Sequence, residues 1–300
     1  MKDSVLRPRR TGVDSVLKTH SSELFIKRED RIFFSQGTKI RKLLGIYRSL
    51  ESKLRSGEIQ NIILQGNLHS NAILAGSLFF KFVDVPTKIL GYSRDPKLIT
   101  PASIISKRFS ELQLYPTRKE WEKAVEDTRK SLLTNQALIP EFLFTSFALE
   151  GLTSIWDEID HSQYDRIVLD VGSGLTWLSG ILWGKLPITG ICLGLEKKKF
   201  GPWMESNLSS LRLSKLNLPY ESLIDPQEKL KANFSYGKKG NIWLEKSKDY
   251  QKRFGIYLEP IYGAKSISII ESMMEKRELE GRILYIYQGG ILQGGVSSIL

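Results

Sequence analysis

The sequence has few of the residues that would suit it to an oxidising compartment or a membrane. Its 300 residues include one cysteine, Cys192, so no disulfide can form within the chain. The longest apolar runs, such as AILAGSLFFKF, are too short and too interrupted to span a bilayer. The N-terminus, MKDSVLRPRRTG, is basic and lacks the apolar stretch of a secretory signal. These absences predict a cytoplasmic protein without a membrane span.

Signatures of metal and nucleic-acid binding are also missing. The chain has three histidines, and His69 has no second histidine or acidic pair at metal-ligand spacing, so no metal site is predicted. The net charge of +11 favours anionic partners, from nucleic acid to a phosphorylated cofactor. The basic residues are scattered, however, with EKKKFG (196–201) as the only dense run. A basic surface that aids solubility is therefore favoured over nucleic-acid binding, which stays a competing hypothesis.

Strand-like and helix-like apolar patterns alternate along the chain. This alternation is typical of βαβ units and predicts an α/β fold with mainly parallel sheets. A length of 300 residues favours two domains. The predicted strands are 23–30, 61–67, 87–92, 137–140, 166–171, 189–195 and 282–290. The predicted helices are 37–50, 70–82, 101–110, 117–134, 141–159 and 177–184.

One lysine lies on the apolar face of a predicted helix. In GTKIRKLLGIYRSL (37–50), Lys39 shares a face with Leu43 and Tyr47, whereas Arg41 is predicted to point the other way. Lys39 either snorkels at the helix end or is kept out of water for its amine. A desolvated lysine has a lowered pKa and can attack a carbonyl to form a Schiff base.

A second feature is the junction IVLDVGSGLT (167–176). A buried strand that opens through small residues into a helix directs backbone N–H groups and the helix dipole at one point, which is how proteins hold phosphate. The junction is neither a Walker loop, since no lysine follows the glycines, nor a dinucleotide fingerprint, since Trp177 takes the place of the third glycine. It is a cradle for one phosphate or a tight turn.

A third feature is the junction QGNLHSNA (65–72). Ser70 and Asn71 at the start of a helix can hydrogen-bond a ligand oxygen or serve only as a helix cap. Taken together, the three features supply an amine, a phosphate cradle and an oxygen-binding cap. These are the requirements of pyridoxal 5′-phosphate.

The motifs resemble those of a known family. KREDRIFFSQGTKIRKLL resembles the K-R-D-D … G-N-K-x-R-K-L segment of the aminocyclopropane-carboxylate deaminase and D-cysteine desulfhydrase family. GNLHSNA, VGSGLTWLSG, LEPIYGAKS and ILYIYQGG resemble four further motifs of that family, and all five come in the family order. The resemblance implies a fold-type-II pyridoxal-phosphate enzyme, built from two three-layer α/β/α domains like the tryptophan synthase β subunit.

The resemblance also implies roles for individual residues. Lys39 matches the lysine that holds the cofactor and moves the substrate proton, and Ser70 matches the serine that faces the substrate. Asn71 matches the asparagine beside the phenolate oxygen, and Tyr262 the tyrosine that packs on the pyridine ring. Tyr236 is a further candidate for an active-site tyrosine. The positions that match the phosphate loop are Gly172, Ser173, Gly174, Leu175 and Thr176.

Several positions depart from the family pattern. Leu175 replaces the second glycine of the loop, and a leucine there would be strained if the position needs a positive φ. Thr38 replaces the asparagine before the lysine, and PEFL (140–143) replaces P-E-G-G. Gly263 occupies the position of the glutamate or threonine that contacts the pyridine nitrogen.

The departure at Gly263 bears on the reaction. A carboxylate there would strengthen the electron sink needed for ring opening of aminocyclopropane carboxylate, whereas elimination of a good leaving group needs less. The sequence therefore favours a lyase or deaminase that acts on a small amino acid by desulfhydrase-like β-elimination, giving a keto acid and ammonia. Ring opening is the alternative, and a catalytically degenerate protein with a binding or regulatory role is another.

The resemblance places the domain boundaries as well. It implies a large cofactor-binding domain from residues 1–47 and 151–300 and a smaller inserted domain at 48–150, with the cofactor in the cleft between them. A homodimer is expected from the resemblance alone.

Overall fold

A computed structural model describes residues 6–95, 97–230, 234–237 and 240–290. The described chain forms two compact units. Unit 1 contains Lys39–Gly151 together with residues 6–9, and unit 2 contains Arg10–Thr38 together with the described residues of 152–290. The domain boundaries expected from the family resemblance stay a prediction.

Unit 1 is built around a four-stranded parallel sheet with the strand order β5-β4-β3-β6. Its strands are β3 (Asn61–Asn67), β4 (Thr87–Tyr92), β5 (Glu111–Tyr115) and β6 (Gln136–Ile139). Its helices are α1 (Thr38–Arg55, which begins at the unit boundary), α2 (Asn71–Phe82), α3 (Pro101–Phe109), α4 (Arg118–Lys130) and the start of α5 (Ser146–Trp156).

Unit 2 is built around a six-stranded sheet with the order β1-β2-β10-β7-β8-β9. The edge pair β1 and β2 is antiparallel, and the other pairs are parallel. The strands are β1 (Val13–Lys18), β2 (Ser22–Arg28), β7 (Arg166–Val171), β8 (Ile188–Cys192), β9 (Leu223–Ile224) and β10 (Gly281–Tyr287). The helices that follow β7 are α6 (Leu175–Trp183), α7 (Lys197–Leu208), α8 (Pro226–Leu230), α9 (Asn241–Phe254) and α10 (Gly263–Glu275).

Helices cover both faces of each sheet. In unit 1, α4 packs on one face, where the Trp121 indole N–H donates to the Leu90 carbonyl oxygen at 2.9 Å. Gly76 of α2 lies against Leu64 on the other face. In unit 2, α9 and α10 pack with the Val168 and Ile191 side chains, and Trp177 of α6 reaches the opposite face at Gly190. The prediction of three-layer α/β/α architecture with mainly parallel sheets is confirmed.

The sequence patterns located most elements of unit 1 and the centre of unit 2. The strands predicted at 61–67, 87–92 and 166–171 are confirmed to the residue. The strand β5 was not predicted, because its apolar residues alternate over only five positions. The helix predicted for 141–159 is shorter, since Phe142 and Leu143 have left-handed φ values of +62° and +59° that a helix cannot contain.

The described part of the chain has no helix that is both long enough and apolar enough to cross a membrane.

Two glycines allow the backbones of α1 and α5 to touch. An ideal Cβ on Gly45 would lie 1.9 Å from the Phe147 carbonyl oxygen, and one on Gly151 would lie 2.1 Å from the Arg41 carbonyl oxygen. No side chain can fit at either place, so the first turns of α1 are enclosed on the side that α5 covers. This contact explains why α1 is buried on more than one face.

A substitution at Gly45 tests this contact. We expect Gly45→Ala to lower the free energy of unfolding by about 3 kcal/mol, because the methyl group must push two backbones apart. Urea unfolding followed by circular dichroism measures the change.

The matched control is Gly12→Ala. Gly12 is exposed, and its nearest neighbour to an added Cβ is the Arg31 guanidinium at 3.7 Å. We expect a change within about 0.5 kcal/mol for this control. Equal effects of the two substitutions would contradict the close approach of α1 and α5.

Candidate functional site

In unit 1 the predicted site residues lie at the carboxyl edge of the sheet, where the parallel strands end. Helices α1 and α2 run in the same direction, since each leads into the amino end of a following strand. Their rings Tyr47 and Phe79 pack edge to face at 5.9 Å. Lys39 and Asn71 each lie eight residues before these rings, about 12 Å back along each helix axis. The two residues are therefore at the same level of the unit, beyond the carboxyl edge.

Ser70 and Asn71, at the start of α2, differ in their hydrogen bonding. The Ser70 hydroxyl accepts a hydrogen bond from the Ile73 N–H at 3.2 Å, so Ser70 is the helix cap. The Asn71 amide oxygen is buried and has no hydrogen-bond partner among the described residues. A buried polar atom without a partner is unfavourable unless a ligand or water satisfies it. Asn71 thus has bonding capacity for a ligand, and the Ser70 hydroxyl, which only accepts in the cap, still has a proton to donate.

The start of α1 contains two buried basic residues besides Lys39. Lys39 is the second residue of α1 and is half-buried. Arg41, which was predicted to point away from the apolar face, is only 2% exposed, so the helix is buried on that side as well. The reason is the close approach of α5, whose Gly151 lies against the Arg41 carbonyl oxygen.

Lys42 is a second amine that the sequence analysis missed. It is 7% exposed, and burial, with a smaller contribution from the charge of Lys39, lowers the pKa of Lys42 from its ordinary 10.5 to about 7. A signal in the sequence could have identified it, since Lys42 follows Lys39 by three residues and so lies about one helical turn away. A neutral amine near pH 7 is a group that can act on a carbonyl or take up a proton.

In unit 2 the predicted phosphate loop follows β7. Gly174 takes the left-handed conformation, with φ +79°, and is the residue before α6. Leu175 is the first residue of α6, its φ is not positive, and its side chain is fully buried. The strain predicted at Leu175 is therefore absent, because the neighbouring glycine makes the turn. Gly172 is exposed, and an added Cβ there would meet nothing within 4 Å.

The start of α6 has the properties of an anion site. The N–H groups of the first helical turn have no intrahelical partners, and Gly174 provides no side-chain cap for them. Gly172 and Ser173 lie in front of this helix end and are at least partly exposed, whereas Thr176 within the first turn is buried. The arrangement leaves the positive end of the helix dipole accessible to an anion.

A hydrogen-bond network fixes the end of β7, which leads into this loop. Asp170, two residues before Gly172, accepts a hydrogen bond from the Ser266 hydroxyl at 2.5 Å and from the Tyr285 hydroxyl at 3.0 Å. The Gln288 side-chain amide donates to the Asp170 carbonyl oxygen at 2.5 Å. The end of β7 is thereby connected to α10 and to the end of β10.

Tyr262 lies at the same carboxyl edge of the unit 2 sheet, just before α10. The carboxylate of Glu259 accepts hydrogen bonds from the N–H groups of Ile261 and Tyr262 at 2.8 and 2.9 Å, which fixes the loop. Burial and the nearby carboxylates of Glu259 and Asp170 raise the pKa of Tyr262 to about 12. The phenol is therefore neutral at physiological pH and can pack on a ring or donate a hydrogen bond.

Gly263 faces an aromatic ring. An ideal Cβ at Gly263 would lie 2.7 Å from the Tyr287 ring. The Tyr287 hydroxyl accepts a hydrogen bond from the Glu259 N–H at 2.7 Å and donates to the Tyr257 carbonyl oxygen at 3.0 Å. Tyr287 therefore occupies the space that a side chain at position 263 would need.

Tyr236 is the remaining tyrosine that the sequence suggested. Its hydroxyl oxygen is buried and has no hydrogen-bond partner within the described chain. Burial, with contributions from Asp225 and Glu196, raises the pKa of this hydroxyl. The preceding carbonyl oxygen of Ser235 accepts a hydrogen bond from the buried Lys265 amine at 2.7 Å. Tyr236 thus offers a second phenol with unused bonding capacity.

Sequence comparison finds distant relatives. No protein-family model matches the chain. A protein of Pyrococcus furiosus named "Putative 1-aminocyclopropane-1-carboxylate deaminase" is 24% identical over 92% of this chain and 87% of its own length. A protein of the same name from Pyrococcus horikoshii is 26% identical over 90% of this chain and 85% of its own length.

Structural comparison finds solved structures with the same fold as this chain. A crystal structure described as an ACC deaminase homologue superposes with a TM-score of 0.74 at 23% identity, covering 96% of this chain and 91% of its own. Maize serine racemase gives a TM-score of 0.65 at 13% identity, over 99% and 94% of the two chains. Threonine deaminase isoform 2 from Solanum lycopersicum gives 0.62 at 16% identity, over 94% and 79%. The predicted fold, that of the fold-type-II pyridoxal-phosphate enzymes, is confirmed.

The lowered pKa of Lys42 predicts a pH dependence of stability. Between pH 7 and pH 9 the unfolded chain carries the Lys42 proton and the folded chain has largely lost it, so stability should rise with pH. We expect wild type to gain about 2 kcal/mol relative to Lys42→Met over this interval, at about 1.4 kcal/mol for each pKa unit. Urea unfolding of both proteins at several pH values measures the difference. Parallel profiles would show that Lys42 is charged in the folded chain.

Proposed function

We propose that this chain is a divergent member of the 1-aminocyclopropane-1-carboxylate deaminase and D-cysteine desulfhydrase family and acts as a pyridoxal-phosphate-dependent lyase or deaminase of a small amino acid. The observation that carries the proposal is the uncapped start of α6 behind Gly172 and Ser173. The lysines at the start of α1 supply the amines that the same cofactor requires.

The residues fit the phosphate and the phenolate side of the cofactor. Backbone N–H groups at the start of α6 would hold the phosphate, with Ser173 and Thr176 as neighbouring hydroxyls. The buried amide of Asn71 lacks a partner, and a ligand oxygen would satisfy it once the amide is turned. Tyr262 presents a neutral phenol ring for packing.

The residues fit the pyridine nitrogen less well. Position 263 has no side chain, and Tyr287 fills the space beside it. The Tyr287 hydroxyl is already engaged by two backbone groups. Position 263 therefore offers no carboxylate that could hold a proton on the pyridine nitrogen.

The roles of the chain's own residues follow from this fit. When bound, pyridoxal phosphate supplies an electron sink for charge that develops at the substrate Cα. The Lys39 amine would hold the cofactor and then remove the proton from the substrate Cα. Ser70, whose hydroxyl caps α2, would face the substrate.

The fit favours β-elimination. Without a charged partner for the pyridine nitrogen the electron sink is weaker, so a substrate with a good leaving group on Cβ is preferred. D-Cysteine is such a substrate, and its thiol would leave after proton removal by Lys39. Hydrolysis would then give pyruvate and ammonia. Ring opening of aminocyclopropane carboxylate makes a greater demand on the sink and is the less favoured reaction.

A degenerate protein without turnover is the second candidate. It is favoured by Phe142 and Leu143, which stand where the family has glycines and keep the left-handed backbone. Gly263 supports the same interpretation. Such a protein would bind the cofactor or an amino acid and release no product.

We also propose a cytoplasmic location, which the single, buried cysteine supports. The homodimer expected from the family resemblance stays a prediction.

Cofactor attachment is tested first by absorbance. We expect purified protein incubated with pyridoxal phosphate to develop a band near the edge of the visible range, and we expect Lys39→Ala to lack it, because the amine that holds the cofactor is gone. Lys42→Met is the matched control and should keep the band. If Lys42→Met loses the band and Lys39→Ala keeps it, Lys42 is the attachment residue and the assignment of Lys39 is wrong.

Substrate choice is tested with a panel of amino acids. We expect cofactor-loaded protein to release sulfide, pyruvate and ammonia from D-cysteine, and to release little or no keto acid from aminocyclopropane carboxylate. Lys39→Ala should lower the rate by a factor of about 100 or more, in the range typical of a lost catalytic base. Turnover of aminocyclopropane carboxylate alone would overturn the preference for elimination. An absence of product from every D- and L-amino acid would support the degenerate protein.

A further inference from the structure

Unit 1 contains a cavity at the end of its sheet opposite the candidate site. The cavity has a volume of about 500 Å³, within the usual range for small-molecule sites. It is lined by the first residues of the four strands, which are Asn61, Thr87, Glu111 and Gln136. Because the strands are parallel, this is the amino edge, whereas Ser70 and Asn71 follow the carboxyl edge. The cavity is therefore separate from the residues assigned to the reaction.

Groups of both charges line this cavity. Lys88 and Glu111 are register partners on neighbouring strands, so their side chains are on one face of the sheet, with the lysine amine 3.0 Å from the carboxylate. Arg108, at the end of α3, also lines the cavity, and its guanidinium lies over the Phe109 ring at 5.9 Å. The lining thus provides two cations and one carboxylate within one small volume.

A buried hydroxyl in the lining lacks a partner. Ser110 follows α3, and its N–H donates to the Ser106 carbonyl oxygen at 3.0 Å, which fixes its position. The Ser110 hydroxyl oxygen is buried and has no hydrogen-bond partner among the residues that the structure describes. Buried hydroxyls are normally satisfied by protein, water or ligand. A polar ligand in the cavity would complete this bond once the hydroxyl is turned toward it.

We propose that the cavity is a second binding site, for a small α-amino acid. Its carboxylate would bind Arg108, which matches a carboxylate with two parallel N–H groups, and would accept a hydrogen bond from the Ser110 hydroxyl. Its ammonium group would bind Glu111. A zwitterion satisfies both charges of the lining, whereas inorganic phosphate would satisfy the cations and be repelled by Glu111.

The test is calorimetric titration of the full-length, cofactor-loaded chain with glycine, L-serine and L-glutamate. Each titration is repeated in Lys39→Ala, so that turnover does not consume the probe. We expect at least one amino acid to bind saturably, and Arg108→Gln to weaken that binding by a factor of about 10 or more. Ser110→Ala should weaken it by a factor of about 3. Acetate and inorganic phosphate are the comparison ligands.

The matched control is Lys123→Gln, which removes one positive charge from an exposed position of α4 away from the cavity. Circular dichroism checks that each variant is folded. Binding that survives in Lys39→Ala and Lys123→Gln but is lost in Arg108→Gln supports the proposal. Equal affinity in Arg108→Gln, no saturable binding of any amino acid, or phosphate binding as tight as that of the amino acids would each overturn it.

Discussion

The side chain of Gln288 connects the ends of β10 and β7 with Thr38, and the predicted phosphate loop follows the strand end that it holds. Its amide donates to the Asp170 carbonyl oxygen, at the end of β7. Its amide oxygen accepts from the Thr38 hydroxyl at 3.2 Å, and its backbone oxygen accepts from the Thr38 N–H at 3.3 Å. Gly37 has no room for a Cβ, which would lie 1.9 Å from the Gln288 carbonyl oxygen. The ends of β10 and β7 are thereby held together with Gly37 and Thr38, which lead into α1.

The backbone of this chain accommodates several departures from the family motifs that the sequence resembles. Leu175 is harmless because Gly174 takes the left-handed turn and the leucine side chain is in the core. Phe142 and Leu143, at the positions of the two glycines in the P-E-G-G motif, have a left-handed backbone that glycine would adopt without strain. Each such residue costs about 1–2 kcal/mol, and the burial of Leu143 offsets part of this cost.

The sequence predicted what is determined by local chemistry. The strand 166–171, the cap at Ser70 and the uncapped turn before α6 follow from residue types at neighbouring positions. The sequence did not predict the burial of Arg41 and Lys42, because the helix that covers the Arg41 turn, α5, is about 100 residues further along the chain. Helical periodicity places a residue on a face of its own helix, and the tertiary neighbour decides which faces are enclosed.

Gly263 and Tyr287 show why a missing side chain has to be interpreted together with its neighbours. The ring of Tyr287 fills the position and its hydroxyl is shared by two backbone groups, so the pair is a stable packing arrangement without a cavity. Burial raises the pKa of the Tyr287 hydroxyl well above its ordinary value, so the phenol is neutral at physiological pH. A neutral, fully bonded phenol cannot replace a carboxylate as the partner of a protonated ring nitrogen. Gly263 thus keeps the packing at this position and provides no charged partner for a ring nitrogen, which agrees with the proposed elimination from activated substrates better than with ring opening.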